Sequence, residues 1–372
     1  MAGLIAPQTR RRPRFHGLRV SEVNRLTDDA VALSFAIPNE LREAFAFTPG
    51  QHLTLRATIE GEDVRRSYSI CRSARDAQAR QELRVAAARV EDGVMSNWIA
   101  DTVAVGDEIQ VMEPMGAFAT PPSSGAGRHH VAFAAGSGIT PIMSLITTAL
   151  QDNPEDTVTL VFGNRRTGSI MLLEELADLK NAYPTRFQLV HVLSREAQDV
   201  ELFSGRLDAP RIRAIIDALA PVDTVDEWYL CGPFGMVEAA QQVLGELGVE
   251  PARVHHEVFH VDEPGARPQR RVVIEEGAPP EAVVTVNLDG RSTVIDMPSR
   301  EETILDATLR SRPDAPFSCT GGICGTCRAR VVSGEVRMDR NYALEPDEVE
   351  RGIVLACQAH PVSDAVTLDY DA

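Results

Sequence analysis

Four cysteines near the end of this sequence carry its clearest chemistry. Cys319, Cys324 and Cys327 form C-x4-C-x2-C, and Cys357 follows alone thirty positions later. Thiolates are soft donors, and three on one loop with a fourth at a distance is the spacing that cradles a [2Fe–2S] cluster. Gly321, Gly322 and Gly325 let such a loop bend tightly and let its amides approach cluster sulfurs. Four cysteines also suit a structural zinc ion. Zinc ribbons, however, pair two C-x2-C knuckles, and this sequence has one.

Two further groups have chemical character. Gly136-Ser137-Gly138-Ile139-Thr140-Pro141 follows an apolar run. Glycines there allow close approach to a pyrophosphate, Thr140 can cap a helix, and Pro141 suits a first helical turn. The same turn would also serve as a plain strand-to-helix connection. Arg66-Ser67-Tyr68-Ser69 and, further on, Gly93-Val94-Met95-Ser96 combine a guanidinium, an aromatic ring and hydroxyls with a helix start. By residue type alone, Tyr68 fits equally as a half-buried strand aromatic and Arg66 as an exposed strand residue.

The elements that position these residues can be read from periodicity. Short alternating segments at 16–22, 30–37, 52–59, 65–71, 83–90 and 108–112, punctuated by Pro49-Gly50, Gly61 and Gly106, predict an antiparallel β-barrel with one helix near 96–101. From His129 the pattern changes to strands at 129–135, 157–162, 187–193, 227–231 and 253–258. Helices at 141–151, 170–181, 209–219 and 236–247 alternate with them, which predicts an α/β doubly wound parallel sheet. Such sheets bind ligands at the carboxyl ends of their strands. Beyond a Pro-, Gly- and Arg-rich stretch at 261–280, Asp289-Gly290 joins two strands as a hairpin. A helix at 303–310, the cysteine loop, a strand at 328–332, a short helix at 345–351 and a strand at 353–357 follow. That order makes the last domain α+β.

Composition sets the outer bounds. At 372 residues the chain implies two or three domains, and its 44% hydrophobic content is that of a soluble globular protein. No run approaches eighteen apolar residues, so no membrane span is expected, and a net charge of −17 argues against a nucleic-acid partner. Basic residues are arginines except for Lys180, so arginine abundance alone assigns no function. With four of six cysteines claimed by one pattern, only Cys71 and Cys231 remain, which fits a reducing cytoplasm. The run Arg10-Arg11-Arg12-Pro13-Arg14 lacks a following apolar stretch and reads as a solvated tail.

R-x-Y-S followed by G-x-x-S resembles the flavin site of the ferredoxin–NADP reductase superfamily. That resemblance implies that Tyr68 packs on the isoalloxazine, Arg66 holds the pyrophosphate and Ser69 bonds near the reactive N5. It also implies that Ser67 and Gly93–Ser96 complete an FAD site, a pyrophosphate-binding helix favouring FAD over FMN. Many relatives have Gly-Gly where this chain has Asp92-Gly93. G-x-G-x-T-P is similar to the nicotinamide turn of the same family. Asn164, Arg165, Ser194 and Arg195 resemble the set that clasps a ribose 2′-phosphate, implying NADPH. Cys231-Gly232-Pro233 falls where the family places residues beside the nicotinamide ring, though a buried strand-end cysteine with no covalent role reads the same way. Glu257 and Phe259 fall near the flavin in relatives, and Phe259 also suits ordinary core. The last domain resembles the β-grasp of plant-type ferredoxins. From Val283 it holds 15 acidic and nine basic residues, a charge suited to a basic redox partner or simply to solvation.

The expected organisation is therefore multidomain: a tail at 1–14, an FAD barrel at 15–124, a nucleotide domain at 125–260, a linker at 261–281 and a [2Fe–2S] ferredoxin domain at 282–372. A nicotinamide delivers two electrons as hydride, a cluster accepts one at a time, and a flavin can do both. Phe15-His16, Phe47–Leu55, Arg66–Ser73 and Asn341–Glu348 are similar to the reductase family of the phenylacetyl-CoA 1,2-epoxidase complex, which implies a multicomponent di-iron oxygenase as partner. No Glu-x-x-His pair on bundle helices is present here, so oxygen chemistry would reside in other subunits. Reductases of 3-ketosteroid 9α-hydroxylase, which serve a Rieske oxygenase, share the domain order. A redox-inactive interaction module is the remaining alternative.

Overall fold

The computed structural model describes residues 13–119, 127–260 and 279–372. The arginine run as far as Arg12, most of the Pro121–Gly127 connection and the expected linker from 261 to 278 lie outside the described residues. The described residues fall into two compact units, the larger running to residue 260 and the smaller starting at residue 279.

In the larger unit, strands β1 (Phe15–Thr27), β2 (Ala30–Ala36), β3 (His52–Ile59), β4 (Glu62–Ser69), β5 (Glu82–Ala88) and β6 (Glu108–Met112) form one sheet in the order β4-β3-β6-β1-β2-β5. Ile70 bridges Val85, and the Cys71 amide donates to the Arg84 carbonyl (2.9 Å), so the two outer strands meet and the sheet curls into a barrel. Its core holds Leu18, Phe35, Leu53, Leu55, Ile70 and Val111, each fully buried and each worth about 1.5–3 kcal/mol of apolar burial. β4 starts earlier than expected, at Glu62, because Glu60 and Gly61 both take positive φ (52° and 85°) and make a tight hairpin.

Among the described residues two α-helices accompany the barrel, not one. The expected helix is α2 (Val94–Asp101); the additional one is α1 (Ala74–Arg80). Ser73 caps α1 by accepting from the Asp76 amide (3.1 Å), and Gln81 ends it in the left-handed region. Seven residues give too short a pattern for helical periodicity to register.

The second half of this unit is a parallel sheet of β7 (His129–Ala135), β8 (Thr157–Asn164), β9 (Phe187–Leu193), β10 (Glu227–Pro233) and β11 (Val254–His260), ordered β11-β10-β7-β8-β9. β7, β8 and β10 read as almost unbroken apolar runs because both faces are covered. Helices α3 (Ile139–Asp152) and α4 (Leu173–Ala182) pack on one face, and α5 (Ala209–Leu219) and α6 (Phe234–Glu246) on the other. The strand order reverses between β7 and β10, and the crevice at their carboxyl ends is where such folds bind ligands. Barrel and sheet share one core. Ala30, Ala32, Cys71, Ala86 and Phe118 pack with Ile139, Ile142 and Tyr229.

The smaller unit builds a mixed sheet from β12 (Ala282–Leu288), β13 (Arg291–Met297), β14 (Arg328–Ser333), β16 (Ile353–Leu355) and β18 (Ala365–Asp369), ordered β13-β12-β18-β14-β16, over α7 (Ile304–Ser311). β15 (Val336–Met338) pairs with β17 (Ala359–Pro361), and α8 (Pro346–Glu350) precedes β16. Asp289 and Gly290 have φ of 52° and 67°, the hairpin the sequence predicts. β15, β17 and β18 are not anticipated by the sequence pattern. β18 runs parallel to β12, so its partner lies almost a whole domain away in the chain. Cys357 stands in the turn after β16, not on the strand itself.

Candidate functional site

On the barrel, β3 and β4 fix the register of the predicted flavin residues: Ser69 faces His52, Tyr68 faces Leu53, Ser67 faces Thr54 and Arg66 faces Leu55. Alternation puts Arg66 and Tyr68 on one side of the strand and the two serines on the other. Tyr68 packs against the barrel core, and burial pushes its phenol far above its usual range, against a smaller opposite pull from the Arg66 guanidinium. Arg66 is exposed and donates to the Arg65 carbonyl (2.7 Å). The Ser67 hydroxyl shares a hydrogen bond with Thr54 (3.2 Å), and Ser69 is buried. His52, beside Ser69, is also buried. Its Nε2 has no hydrogen-bond partner among the described residues, and burial lowers its pKa to about 4, which keeps the ring neutral at pH 7. In the sequence His52 belongs to the 52–59 strand and to the Phe47–Leu55 stretch with no role of its own, because a lone histidine carries no signal by itself.

At the start of α2, Gly93 is required by crowding. A Cβ there would lie 2.6 Å from the Ser96 hydroxyl and 2.8 Å from the Val90 Cβ. Ser96 closes this turn itself, accepting from the Val90 amide (3.1 Å) and donating to the Gly93 carbonyl (3.3 Å). Its hydroxyl is thus engaged within the loop, which leaves the first-turn amides of Val94, Met95 and Ser96 as the donors for an anion. Gly93 adds no side-chain cap to them. Val94 points to solvent while Met95 anchors the helix in the core. Asp92 takes φ 57°, a conformation that Asp tolerates.

At the switch point the two glycines divide the work. Gly136 has φ 54° and open space where a Cβ would be, whereas a Cβ on Gly138 would lie 2.2 Å from the Cys231 carbonyl oxygen. Gly138 therefore serves the packing of the α3 start onto β10, and Gly136 is the residue facing open space. Thr140 does not cap α3. It lies inside the first turn, and its hydroxyl donates back to the Ser137 carbonyl (2.9 Å); Pro141 stands in the same turn. Ser194 donates through amide (2.9 Å) and hydroxyl (3.3 Å) to the Asn164 carbonyl, and the Arg195 amide donates to the Arg165 carbonyl (2.8 Å). These bonds set Arg165 and Arg195 on adjacent strand ends, exposed and without ion-pair partners among the described residues. Glu196 is held by Thr167 instead, which lowers its pKa. Cys231 is fully buried, and burial raises its thiol well above normal, with Glu257 opposite on β11 adding to the shift; an inert strand-end thiol follows. A Cβ on Gly232 would come 3.2 Å from Ala135, Pro233 ends β10, and Phe259 is half-buried on the shared core.

In the smaller unit the four predicted ligands converge. Cys319 and Cys324 are close neighbours, as are Cys327 and Cys357, and Cys357 acts on Cys319 as well. The Cys324 thiol and the amides of Cys324 and Gly321 bring the Cys319 thiol down to about 6 despite burial. The Cys324 amide donates to Cys319 Sγ (3.4 Å), and Thr326 Oγ1 lies 3.1 Å from Cys324 Sγ. Thr320, with φ 52°, and Gly322, with φ 79°, turn the loop around the site. Soft donors, inward amides and neighbouring thiols fit a [2Fe–2S] cluster.

The chain matches an oxidoreductase FAD-binding domain family over residues 17–120, an oxidoreductase NAD-binding domain family over 133–242 and a 2Fe-2S iron-sulfur cluster binding domain family over 286–362. Phthalate dioxygenase reductase has the same fold over 95% of this chain and 98% of its own, with a TM-score of 0.58 and 21% identity. With FAD-, nicotinamide- and cluster-binding domains in one polypeptide, the protein is an iron–sulfur flavoprotein oxidoreductase that transfers electrons from NAD(P)H. It is 42% identical over 96% of its length to a subunit of 1,2-phenylacetyl-CoA epoxidase from Escherichia coli, covering 98% of that protein. The ferredoxin reductase component of 3-ketosteroid-9-alpha-monooxygenase from Rhodococcus rhodochrous is 37% identical over 95% of this chain and 96% of its own. The chain belongs to the family of that 1,2-phenylacetyl-CoA epoxidase component.

Proposed function

We propose that this protein draws electrons from NADPH through FAD and the [2Fe–2S] cluster and delivers them singly to the di-iron oxygenase of a phenylacetyl-CoA epoxidase. The observation that carries the partner is the 42% identity with the epoxidase component over nearly the whole of both chains. When bound, FAD accepts hydride and releases electrons one at a time, and the cluster relays them. The polypeptide binds and orients. Tyr68 covers the flavin ring, Ser69 bonds near its reactive edge, and Arg66 with the amides of Gly93–Ser96 holds the pyrophosphate. Gly136–Pro141 and Cys231–Pro233 position the nicotinamide, with Asn164 at the same strand end and Glu257 and Phe259 nearby. Cys319, Cys324, Cys327 and Cys357 hold the iron. Exposed Arg165 and Arg195, with Ser194, support NADPH over NADH, because two guanidiniums match a 2′-phosphate. The proposed domains run 15–124, 125–260 and 282–372, with a tail at 1–14 and a linker at 261–281. No helix among the described residues is long and apolar enough to cross a membrane. The unpaired cysteines support a cytoplasmic setting.

The test mixes purified protein with phenylacetyl-CoA oxygenase subunits and follows NADPH oxidation and epoxide formation with and without phenylacetyl-CoA. Coupled, substrate-dependent consumption and product are expected. NADPH-dependent reduction of flavin and cluster without product would discard the partner; the 37% identity with the ketosteroid component then directs the assay to a Rieske oxygenase.

A further inference from the structure

Gln358 follows the fourth cysteine and is the only glutamine from Val283 to the C-terminus. Its side chain is buried at 8% exposure beneath the cysteine loop. Nε2 donates to the Thr320 carbonyl (2.8 Å) and the Cys357 carbonyl (2.8 Å), and lies 3.6 Å from Cys357 Sγ. Its stem fills the space under Gly322, where a Cβ would come 3.2 Å from Gln358 Cγ. The backbone at 358 is held at both ends, the amide donating to the Leu355 carbonyl (2.8 Å) and the carbonyl accepting from the Asp339 amide (3.0 Å). One amide group thus ties the loop bearing Cys319, Cys324 and Cys327 to the turn bearing Cys357.

We infer that Gln358 is a positioning residue for the cluster, clamping the three-cysteine loop to the fourth ligand and directing an N–H toward Cys357 sulfur that favours the reduced state. The inference rests on the four-cysteine ligand set proposed above. Two hydrogens serve three acceptors here. A thiolate sulfur is the most negative of the three, so iron binding draws one N–H toward it. Each electron added makes an anionic assembly more negative, and a donor at its sulfur stabilises that form. Removing the amide has two effects. The Thr320 carbonyl, in a half-buried loop, loses its donor, and the cluster becomes harder to reduce.

The experiment compares the full-length protein with Gln358→Met, which keeps the length of the side chain and deletes its N–H groups. Redox titration followed by electron paramagnetic resonance is expected to show the equilibrium for cluster reduction falling about tenfold, which is about 59 mV for one electron. Release of iron to a chelator should quicken about tenfold, the usual scale for an outer-shell partner. Pulsed resonance on reduced wild-type protein carrying side-chain 15N-glutamine supplies a readout that needs no variant: a nitrogen coupling assignable to Gln358 is expected. Unchanged reduction and release in the variant, or no such coupling in the wild type, would overturn the inference. Wild-type protein without a [2Fe–2S] signal would instead overturn the ligand assignment.

Discussion

Replacing Gly138 by alanine tests whether the switch point is set by packing between α3 and β10. The added methyl would stand 2.2 Å from the Cys231 carbonyl oxygen, 2.5 Å from its carbon and 2.8 Å from the Gly232 nitrogen. All three atoms are backbone, in a strand bonded on both sides to β7 and β11, so no flexible side chain can give way. Helix α3 must move instead, and ten of its residues are buried against the shared core. Overpacking of this kind costs about 1–3 kcal/mol, and the rigidity on both sides places this case near about 3. For a unit of this size that is a fall of about 6–12 °C in Tm, measured by calorimetry on the reconstituted protein. The displaced helix start also raises KM for NADPH while flavin content stays normal. Gly136→Ala is the control, since its φ of 54° incurs strain of about 1–2 kcal/mol but its Cβ meets no neighbour. A Gly138→Ala protein with wild-type Tm and KM, or a Gly136→Ala protein worse than it, would refute the packing argument.

His52 makes stability pH-dependent. Its folded pKa of about 4 lies below the ordinary 6.5, so the unfolded chain binds the extra proton between those values. Stability from this group is complete above pH 6.5 and is lost progressively toward pH 4, by about 3 kcal/mol in all; urea midpoints at pH 7 and 4.5 should converge in His52→Gln, and an unchanged difference would exclude His52 as the source. Arg84 on β5 donates to Glu175 on α4 (2.8 Å), joining barrel to sheet, and Arg84 is 7% exposed. Glu175→Ala leaves that guanidinium without its carboxylate and should cost about 1–3 kcal/mol, a loss that Arg84→Met on the same background should largely recover; two additive losses would show the pair to be uncoupled. Cys319→Ser should abolish the cluster's visible absorbance yet leave flavin reduction by NADPH at its original rate in stopped flow, and a slowed flavin step would contradict the division of labour between the units.

What the sequence reveals follows from the range of the interactions involved. The Asp289-Gly290 hairpin, the cysteine loop and the Gly136–Pro141 turn are local, each set by a few neighbouring residues, and each stands where the sequence puts it. α1, β15, β17 and β18 are not legible. α1 is one short capped coil, and the strands are three to five residues long with partners far along the chain. The same limit applies within the site. Tyr68 and Arg66 are visible as a motif, whereas the bond from Gln358 to Thr320 spans 38 positions and is a fact of three-dimensional closure; Ser96 holding its own turn and Thr140 reaching back to Ser137 are local, but residue type does not say which of several nearby partners a hydroxyl takes.

Core partition predicts that the two electron-transfer steps can be separated by mutation. Hydride transfer needs two rings in contact at about 3–3.5 Å, a geometry that a small displacement destroys. The barrel and the parallel sheet, which carry the two ring-binding sites, are joined by a single buried cluster running from Ala30 through Cys71 and Phe118 to Cys231, reinforced by Arg84–Glu175 and by the Ser144 hydroxyl on the Arg72 carbonyl (2.8 Å). The cluster unit closes its own core, from Ala282 to Leu368, without borrowing a residue from that interface. Lesions in the shared core therefore act on nicotinamide-to-flavin transfer, and lesions around Gln358 or the cysteines act on the cluster. A substitution at Cys71 or Phe118 that left flavin reduction intact while slowing only cluster reduction would mean that the shared core does not hold the ring-binding halves in place.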